Sequence, residues 1–412
     1  MKSDLDALMQ EFGYDAIFVT GPAFQNPAMV YLTGGGHMGQ ADLIKKRGTP
    51  GMLFHASMER EEAARTGLPT CGYNQFPLKE RMDAAGGDPV LARILMYEAM
   101  FCHAGVTEGR VAVFGVADVG TTFSVLNGVQ SRLPGLSFVG ADRENILMMA
   151  MLSKDVTELE RIRRMGKITT EVVGRTAEFI TGHAVKNEVV VEKDGQPLTI
   201  GAVKSKINLW LAELGAENPE GTIFAIGRDA GVPHSTGNAT DPLRLGQTIV
   251  YDIFPCEPGG GYFYDFTRTW SLGYATDEVL KLYGDVKTVF DTILSELKAN
   301  TPFPFYQRRT CEMFEAMGHP TVLTDPATES GYVHSLGHGV GLNIHEMPAS
   351  RMVDTGRDAL VPGCVITIEP GLYYPERGMG VRIEDTLYFK PDGSFEIFAP
   401  YPYDLVLPMP SK

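Results

Sequence analysis

Hydrophobic positions in the first part of the chain switch between two periods. Short runs rich in β-branched and aromatic residues, AIFVTG, MLFH and RVAVFG, alternate with stretches of helical period such as MEREEAART and VLARILMYEAMF. That alternation predicts an α/β domain. YLTGGGHMGQ is glycine-rich but lacks the Lys-Ser/Thr of a phosphate-binding loop, so it reads as a plain loop. A charged amphipathic stretch, SKDVTELERIRRMGKITTEVVGRTAEFI, then opens a new pattern, with Ser153 or Asp155 placed to cap a helix. The boundary is expected just before it, giving domains 1–152 and 153–412. A second helix is expected near 200–214, and one helical region over roughly 277–317. From about Thr222 strands dominate: TIFAIG, TIVYDIFP, YFYDFTRTW, VITIEPGLYY and VRIEDTLYF. Helices and strands segregated in this way predict an α+β second domain.

Length supports the division, since 412 residues exceed one ordinary core. A net charge of −15 argues against a nucleic-acid partner or an anionic membrane surface. The apolar stretch ENILMMAMLSKD is too short to span a bilayer and is expected to be core of a connecting segment. The N-terminal MKSDLDALMQEFGYDAIFV carries charges where a signal peptide needs an apolar run. Five cysteines, scattered and without a CxxC pair, suit a reducing cytoplasm.

Two hairpin patterns set carboxylates face to face. In GQTIVYDIFPCEPGGGYFYDFTRTW, strand-patterned runs flank the turn signal EPGG. With the turn centred between Pro258 and Gly259, Asp252 and Asp265 sit directly opposite one another. In CVITIEPGLYYPERGMGVRIEDTLYF, Glu369 and Glu384 are symmetric about a centre between Glu376 and Arg377. Pro255 and Pro370 are places where a bulge would shift these registers. One acidic pair across a hairpin is commonly solvated surface. These acids, however, are flanked by Val250, Ile253, Ile366, Ile368 and Ile383, so their strands are expected to be buried on both faces. Buried, facing carboxylates need a cation or a shared proton.

Of nine histidines, three lie in HSLGHGVGLNIHEMP: His334, His338 and His345. Gly337, Gly339 and Gly341 oppose a helix there and let an extended backbone approach closely. Four carboxylates and one imidazole make a ligand set for two divalent ions, typically ~3.5–4 Å apart. Oxygen ligands favour manganese, magnesium or iron, and the nitrogen also admits cobalt or zinc. Two other readings stay open: a single zinc site using His334, His338 and a third ligand, and a structural cluster of hydrogen-bonded histidines.

The pattern resembles the pita-bread metallopeptidase family, which includes methionine aminopeptidase, aminopeptidase P, prolidase and the metal-free creatinases. Its five ligands run Asp, Asp, His, Glu, Glu, and match Asp252, Asp265 (in DFTRTW), His338 (in GHGVGL), Glu369 (in TIEPG) and Glu384 (in VRIED). The resemblance covers about Lys154 to the C-terminus. The earlier NPAMVYLTGG segment is similar to a creatinase-type N-terminal domain, which points to the aminopeptidase P and prolidase branch. The implied fold is an α+β pita-bread catalytic domain preceded by a smaller α/β domain. The resemblance also implies that Asp265 and Glu384 bridge two metals, with manganese favoured over cobalt, zinc or iron. It makes His345 a catalytic histidine that stabilises the tetrahedral intermediate, and His334 and His234 (in GVPHSTGN) substrate-pocket residues. Thr267 and Arg382 match residues that orient the ligands, and Arg382 is also expected at the substrate. One departure stands out: the two aspartates are thirteen positions apart, two more than the family's usual interval. Cys256 lies in that enlarged loop and reads as a bystander, with a soft ligand or redox-sensitive thiol as the other readings.

The implied activity is hydrolysis of an Xaa-Pro amide at a peptide N-terminus, of the aminopeptidase P or prolidase kind. A hydroxide shared by the metals attacks the carbonyl, Glu369 shuttles the proton, and His345, with His334 in the catalytic pocket, faces the reacting peptide. A cytoplasmic homodimer acting on peptides with proline at the second position is expected. The same metal set also serves relatives that act on small molecules: ectoine-type hydrolases, organophosphate-cleaving prolidases and sulfonium-compound lyases. Relatives that only bind proteins have lost the ligands that are present here.

Overall fold

A computed structural model describes residues 4–140 and 145–410. The chain divides into two compact units, Met1–Met151 with Gly259–Gly261, and Leu152–Pro258 with Tyr262–Lys412.

The first unit is built on a six-stranded sheet, comprising β1 (Ala16–Gly21), β2 (Ala41–Lys46), β3 (Met52–His55), β4 (Thr70–Gly72), β5 (Gly109–Gly115) and β6 (Leu136–Gly140). Their order is β4-β3-β2-β1-β5-β6, with β1 antiparallel to β2 and parallel to β5. The sequence alternation produces this α/β layering because each helix buries an apolar stripe on the sheet. Helices Pro89–His103 and Val119–Arg132, capped by Asp88 and Asp118, pack Met100, Phe101, Val125 and Val129 into a core with Phe18 and Val111. YLTGGGHMGQ begins in the helix Pro27–Thr33, which ends at Gly34 in the left-handed region, and runs on as a loop. Of the apolar stretch, Ile146–Met151 form a short helix with Ile146 and Leu147 buried, and Glu144 lies outside the described residues.

The second unit opens with the helix Val156–Thr181. Asp155 caps it in a reciprocal box with Glu158, so of the two candidate caps the aspartate is used. A small hairpin, β7 (Ala184–Lys186) and β8 (Val189–Val191), precedes the helix Ile200–Glu213. Strands β9 (Thr222–Ile226), β10 (Leu245–Gly246), β11 (Thr248–Ile253) and β12 (Phe266–Ala275) form one sheet in the order β10-β12-β11-β9. The second sheet holds β13 (His338–Gly339), β14 (Glu346–Ala349), β15 (Val365–Ile368), β18 (Asp385–Phe389) and β19 (Phe395–Ile397). Between β15 and β18 lies the hairpin β16 (Gly371–Tyr374) and β17 (Met379–Arg382), and β20 (Val406–Leu407) joins β12. The helical region expected as one piece is two helices, Asp277–Glu296 and Phe303–Ala316. Asn300 at φ 61° and Pro302 break it, since neither conformation continues a helix. Among the described residues, no helix is long and apolar enough to cross a membrane. All five cysteines are free.

Candidate metal centre

The first hairpin departs from the expected register. Asp252 on β11 pairs with Thr267 on β12, not with Asp265, and Ile253 pairs with Phe266. The cause is turn chemistry. Gly259 and Gly260 both have positive φ, 79° and 76°, and the Glu257 N–H donates to the Tyr262 carbonyl at 3.0 Å. The expected turn, centred between Pro258 and Gly259, gives way to one whose two central residues both take positive φ, which glycine allows and proline does not. The turn therefore closes one residue later, and Asp265 lies two residues before Asp252's partner. Side chains alternate along a strand, so the two aspartates keep to one face as diagonal neighbours. The strand expected from Tyr262 begins only at Phe266, with Asp265 at its mouth.

The second hairpin keeps its symmetry. Ile368 pairs with Asp385 and Gly371 with Arg382, so Glu369 and Glu384 occupy facing positions between the two ladders. The turn falls at Pro375–Arg377 and Gly378, the latter at φ 65°. Both ladders skip positions 369–370, where Pro370 cannot donate.

His338 comes from β13, flanked by glycines that the packing demands. A Cβ on Gly337 would lie 2.1 Å from the Thr367 carbonyl oxygen, and one on Gly339 2.1 Å from that of Met347. The Thr367 hydroxyl accepts from the His338 N–H at 3.1 Å and donates to Glu369 Oε1 at 3.4 Å. The imidazole Nδ1 sits 3.1 Å from the Gly339 carbonyl oxygen, which points Nε2 at the acids. Nε2 is 3.3 Å from Glu369 Oε1 and 3.6 Å from Asp265 Oδ2. Ligand atoms of Asp265, His338 and Glu384 all lie within 4.8 Å of one another.

Asp252, Asp265, His338 and Glu384 are buried and Glu369 is half-buried. Burial, reinforced by the neighbouring carboxylates, pushes the pKa values of Asp265 and Glu384 well up. Burial also raises Asp252 against the opposing pull of Arg382. For His338, burial opposes the charge, but the hydrogen bond and charge of Glu369 outweigh it and raise the imidazole. Glu369 is lowered for the reciprocal reason, its burial being overcome by His338.

Arg382 pairs with Asp252 Oδ2, and its Nη1 donates to the Tyr373 hydroxyl at 2.8 Å. Its Nε donates to Thr267 Oγ1 at 3.3 Å, and that hydroxyl donates to Glu384 Oε2 at 2.7 Å. The remaining oxygens, Asp252 Oδ1 and Glu384 Oε1, are buried without a hydrogen-bond partner. Orphaned buried carboxylate oxygens are costly. Four carboxylates face one guanidinium, so the cluster carries uncompensated negative charge when ionised. Divalent cations satisfy both conditions, and hard oxygen donors with one imidazole suit them. The residues fit a metal centre.

The remaining histidines are placed unequally. His345 is exposed, its ring 4.4 Å from that of His338 between centroids. His334 lies with Nδ1 2.7 Å from the Ser335 carbonyl oxygen and Nε2 2.9 Å from the Tyr373 hydroxyl. Burial pushes its pKa down to about 4, so the ring is neutral at physiological pH. With both nitrogens engaged, proton transfer to a substrate requires breaking one of these bonds. His234 is exposed, near enough to His334 to lower its pKa further. Cys256 is buried, and burial pushes its thiol up to about 12, which makes it a poor ligand or nucleophile.

Sequence reasoning missed the groups that tie the hairpins together. Arg268 is fully buried and donates to the carbonyls of Thr267 and Glu384 at 3.0 and 2.8 Å. It also donates to Asp385 Oδ1 at 3.0 Å and to the carbonyls of Pro402 and Tyr401 at 3.0 and 2.9 Å. Lys154 and Glu346, each with a side chain 1% exposed, pair at 2.6 Å and fix the turn that carries His345. A signal was present: a charge within a strand buried on both faces must find a partner.

A pita-bread fold carrying a carboxylate–histidine cluster able to hold a metal ion defines a class, the metallopeptidases of that fold. Residues 160–391 match the model of metallopeptidase family M24, and the chain belongs to that family. It is 28% identical over 290 residues to the probable dipeptidase PepE of Mycobacterium tuberculosis, covering 69% of this chain and 70% of that protein. It is 29% identical over 253 residues to an Xaa-Pro dipeptidase of Pyrococcus furiosus, covering 61% and 64%. The structure of an X-Pro aminopeptidase from Thermotoga maritima superposes with a TM-score of 0.73 at 21% identity, covering 97% of this chain and 99% of that one. The fold is the α+β pita-bread fold preceded by an α/β part, and the family implies divalent metal ions.

Proposed function

We propose that the protein hydrolyses the Xaa-Pro bond at the N-terminus of short peptides, using two divalent cations. The observation that carries this reading is the pair of orphaned oxygens, Asp252 Oδ1 and Glu384 Oε1, one from each hairpin, the second in a cluster with Asp265 and His338. Asp252, Asp265, His338, Glu369 and Glu384 would hold the cations, manganese being favoured by the oxygen-rich set. When bound, such ions acidify a water and polarise the scissile carbonyl.

The protein's own groups do the rest. Glu369, half-buried at the edge of the cluster and held ionised by His338, accepts a proton from the attacking water and delivers it to the leaving nitrogen. His345, exposed beside His338, donates to the oxyanion. Neutral His334 and exposed His234 offer ring surface for a proline side chain. Arg382 and Thr267 hold Asp252 and Glu384 in place. Similarity to an Xaa-Pro dipeptidase and to a structure of an X-Pro aminopeptidase supports the proline preference.

The test is to give manganese-loaded protein an Xaa-Pro dipeptide and an Xaa-Pro-Xaa tripeptide and to read the products by mass. Release of the first residue from the tripeptide marks an aminopeptidase, and cleavage of the dipeptide alone marks a dipeptidase. Silence on both with metal bound overturns the proposal.

A further inference from the structure

The first unit contains a pocket of about 480 Å3 that the metal centre does not use. Its floor is Asp42, on the central strand β2 and 1% exposed. The Tyr73 hydroxyl donates to Asp42 Oδ2 at 2.7 Å, and the Tyr97 hydroxyl reaches both oxygens at 3.1 Å. The Thr20 hydroxyl adds a further hydrogen bond. These neutral donors satisfy oxygens but do not cancel a charge. Among the described residues, Asp42 makes no ion pair, and its burial pushes its pKa up.

Arg93 lines the same pocket and is exposed. It is close enough to act on Asp42 through its charge, yet it makes no hydrogen bond or ion pair among the described residues. One wall is apolar, formed by Phe18, Phe76, Met96 and Leu126. The pocket therefore offers a buried carboxyl floor whose ionised form only a cation would stabilise, a free guanidinium and an apolar side. A purely structural aspartate has no need of the free arginine or of the open volume.

We propose that this pocket binds a free α-amino acid with an apolar side chain. The ammonium lies against Asp42 and the tyrosine rings, the carboxylate pairs with Arg93, and the side chain rests on the apolar wall. A ligand with both charges compensates the buried carboxylate and the unpaired arginine together, which neither a simple amine nor a simple acid does. Such a site gives a chain of a peptidase family a place to sense a product-like molecule away from its metal centre.

The experiment is isothermal titration of the full chain with L-leucine, leucinamide and N-acetyl-leucine. Leucine is expected to bind, and each analogue, lacking one charge, to bind at least about tenfold more weakly. Arg93→Ala, at an exposed position that leaves the fold intact, is expected to weaken leucine about tenfold or more, and Asp42→Asn to do the same. His338→Ala, in the metal centre, is expected to leave leucine binding unchanged. Absence of leucine binding overturns the proposal. So does binding that survives Arg93→Ala, or that His338→Ala abolishes, because it then belongs elsewhere. Equal affinity for leucinamide also overturns it.

Discussion

The two hairpins of the metal centre contribute two carboxylates each, but they reach that arrangement differently. In the second, the carboxylates face each other across a symmetric turn, and Glu369 and Glu384 share the register of both flanking ladders. In the first, two consecutive glycines with positive φ move the turn, and Asp252 and Asp265 become diagonal. Counting residues predicts which face a side chain occupies, whereas backbone chemistry at the tip decides which partner it meets. The chemistry tolerates the difference because a cation binds oxygens on one face, not residues in one rung.

If both hairpins serve one centre, breaking either must empty it. Asp265→Asn from the first, Glu384→Gln from the second, and His338→Ala between them should each reduce bound metal and peptide turnover to background. Metal content per chain and product mass check this. A variant that keeps full metal and turnover removes its hairpin from the centre.

The junction between the hairpins is the next place to press. Asp385→Ala leaves Arg268 buried without its carboxylate and should cost about 3–5 kcal/mol in denaturant unfolding. Thr267→Val removes the hydroxyl between Arg382 and Glu384 and should weaken metal binding about 10–100-fold while the protein stays folded.

Protons compete for the same oxygens. Asp265 and Glu384 have pKa values raised by burial and mutual repulsion, so the metal-free folded state binds more protons than the unfolded chain. His338, raised by Glu369, acts in the same direction. Above about pH 5, where unfolded carboxylates are ionised, metal-free protein should lose stability as pH rises through the raised values. Metal affinity should run the other way and fall as pH is lowered, because binding releases those protons. Melting temperatures with and without chelator across pH test the sign. The smallest effect belongs to the tips: Gly259→Ala and Gly378→Ala each force an L residue to positive φ and should cost about 1 kcal/mol in unfolding.

Much of the candidate site was legible in the chain. Carboxylates on strands flanked by β-branched residues, with one glycine-spaced histidine segment between them, are local patterns, and local patterns are readable. Strand existence, the Asp155 cap and the glycines at the His338 backbone belong to this class. What escaped was pairing across distance. Arg268 with Asp385, Lys154 with Glu346, and the Tyr373 hydroxyl that occupies His334 join residues far apart in sequence or on separate strands. No spacing rule announces them.

The sequence by itself determined the layered α/β first part, the α+β second part and the set of acids and imidazole able to hold a metal, because periodicity and residue chemistry are written residue by residue. Only the tertiary structure decided which oxygens are left without partners, which arginine holds which aspartate, and that Asp42 lies without an ion pair beneath a pocket. Those are properties of burial, and a residue becomes buried through neighbours the chain brings from elsewhere.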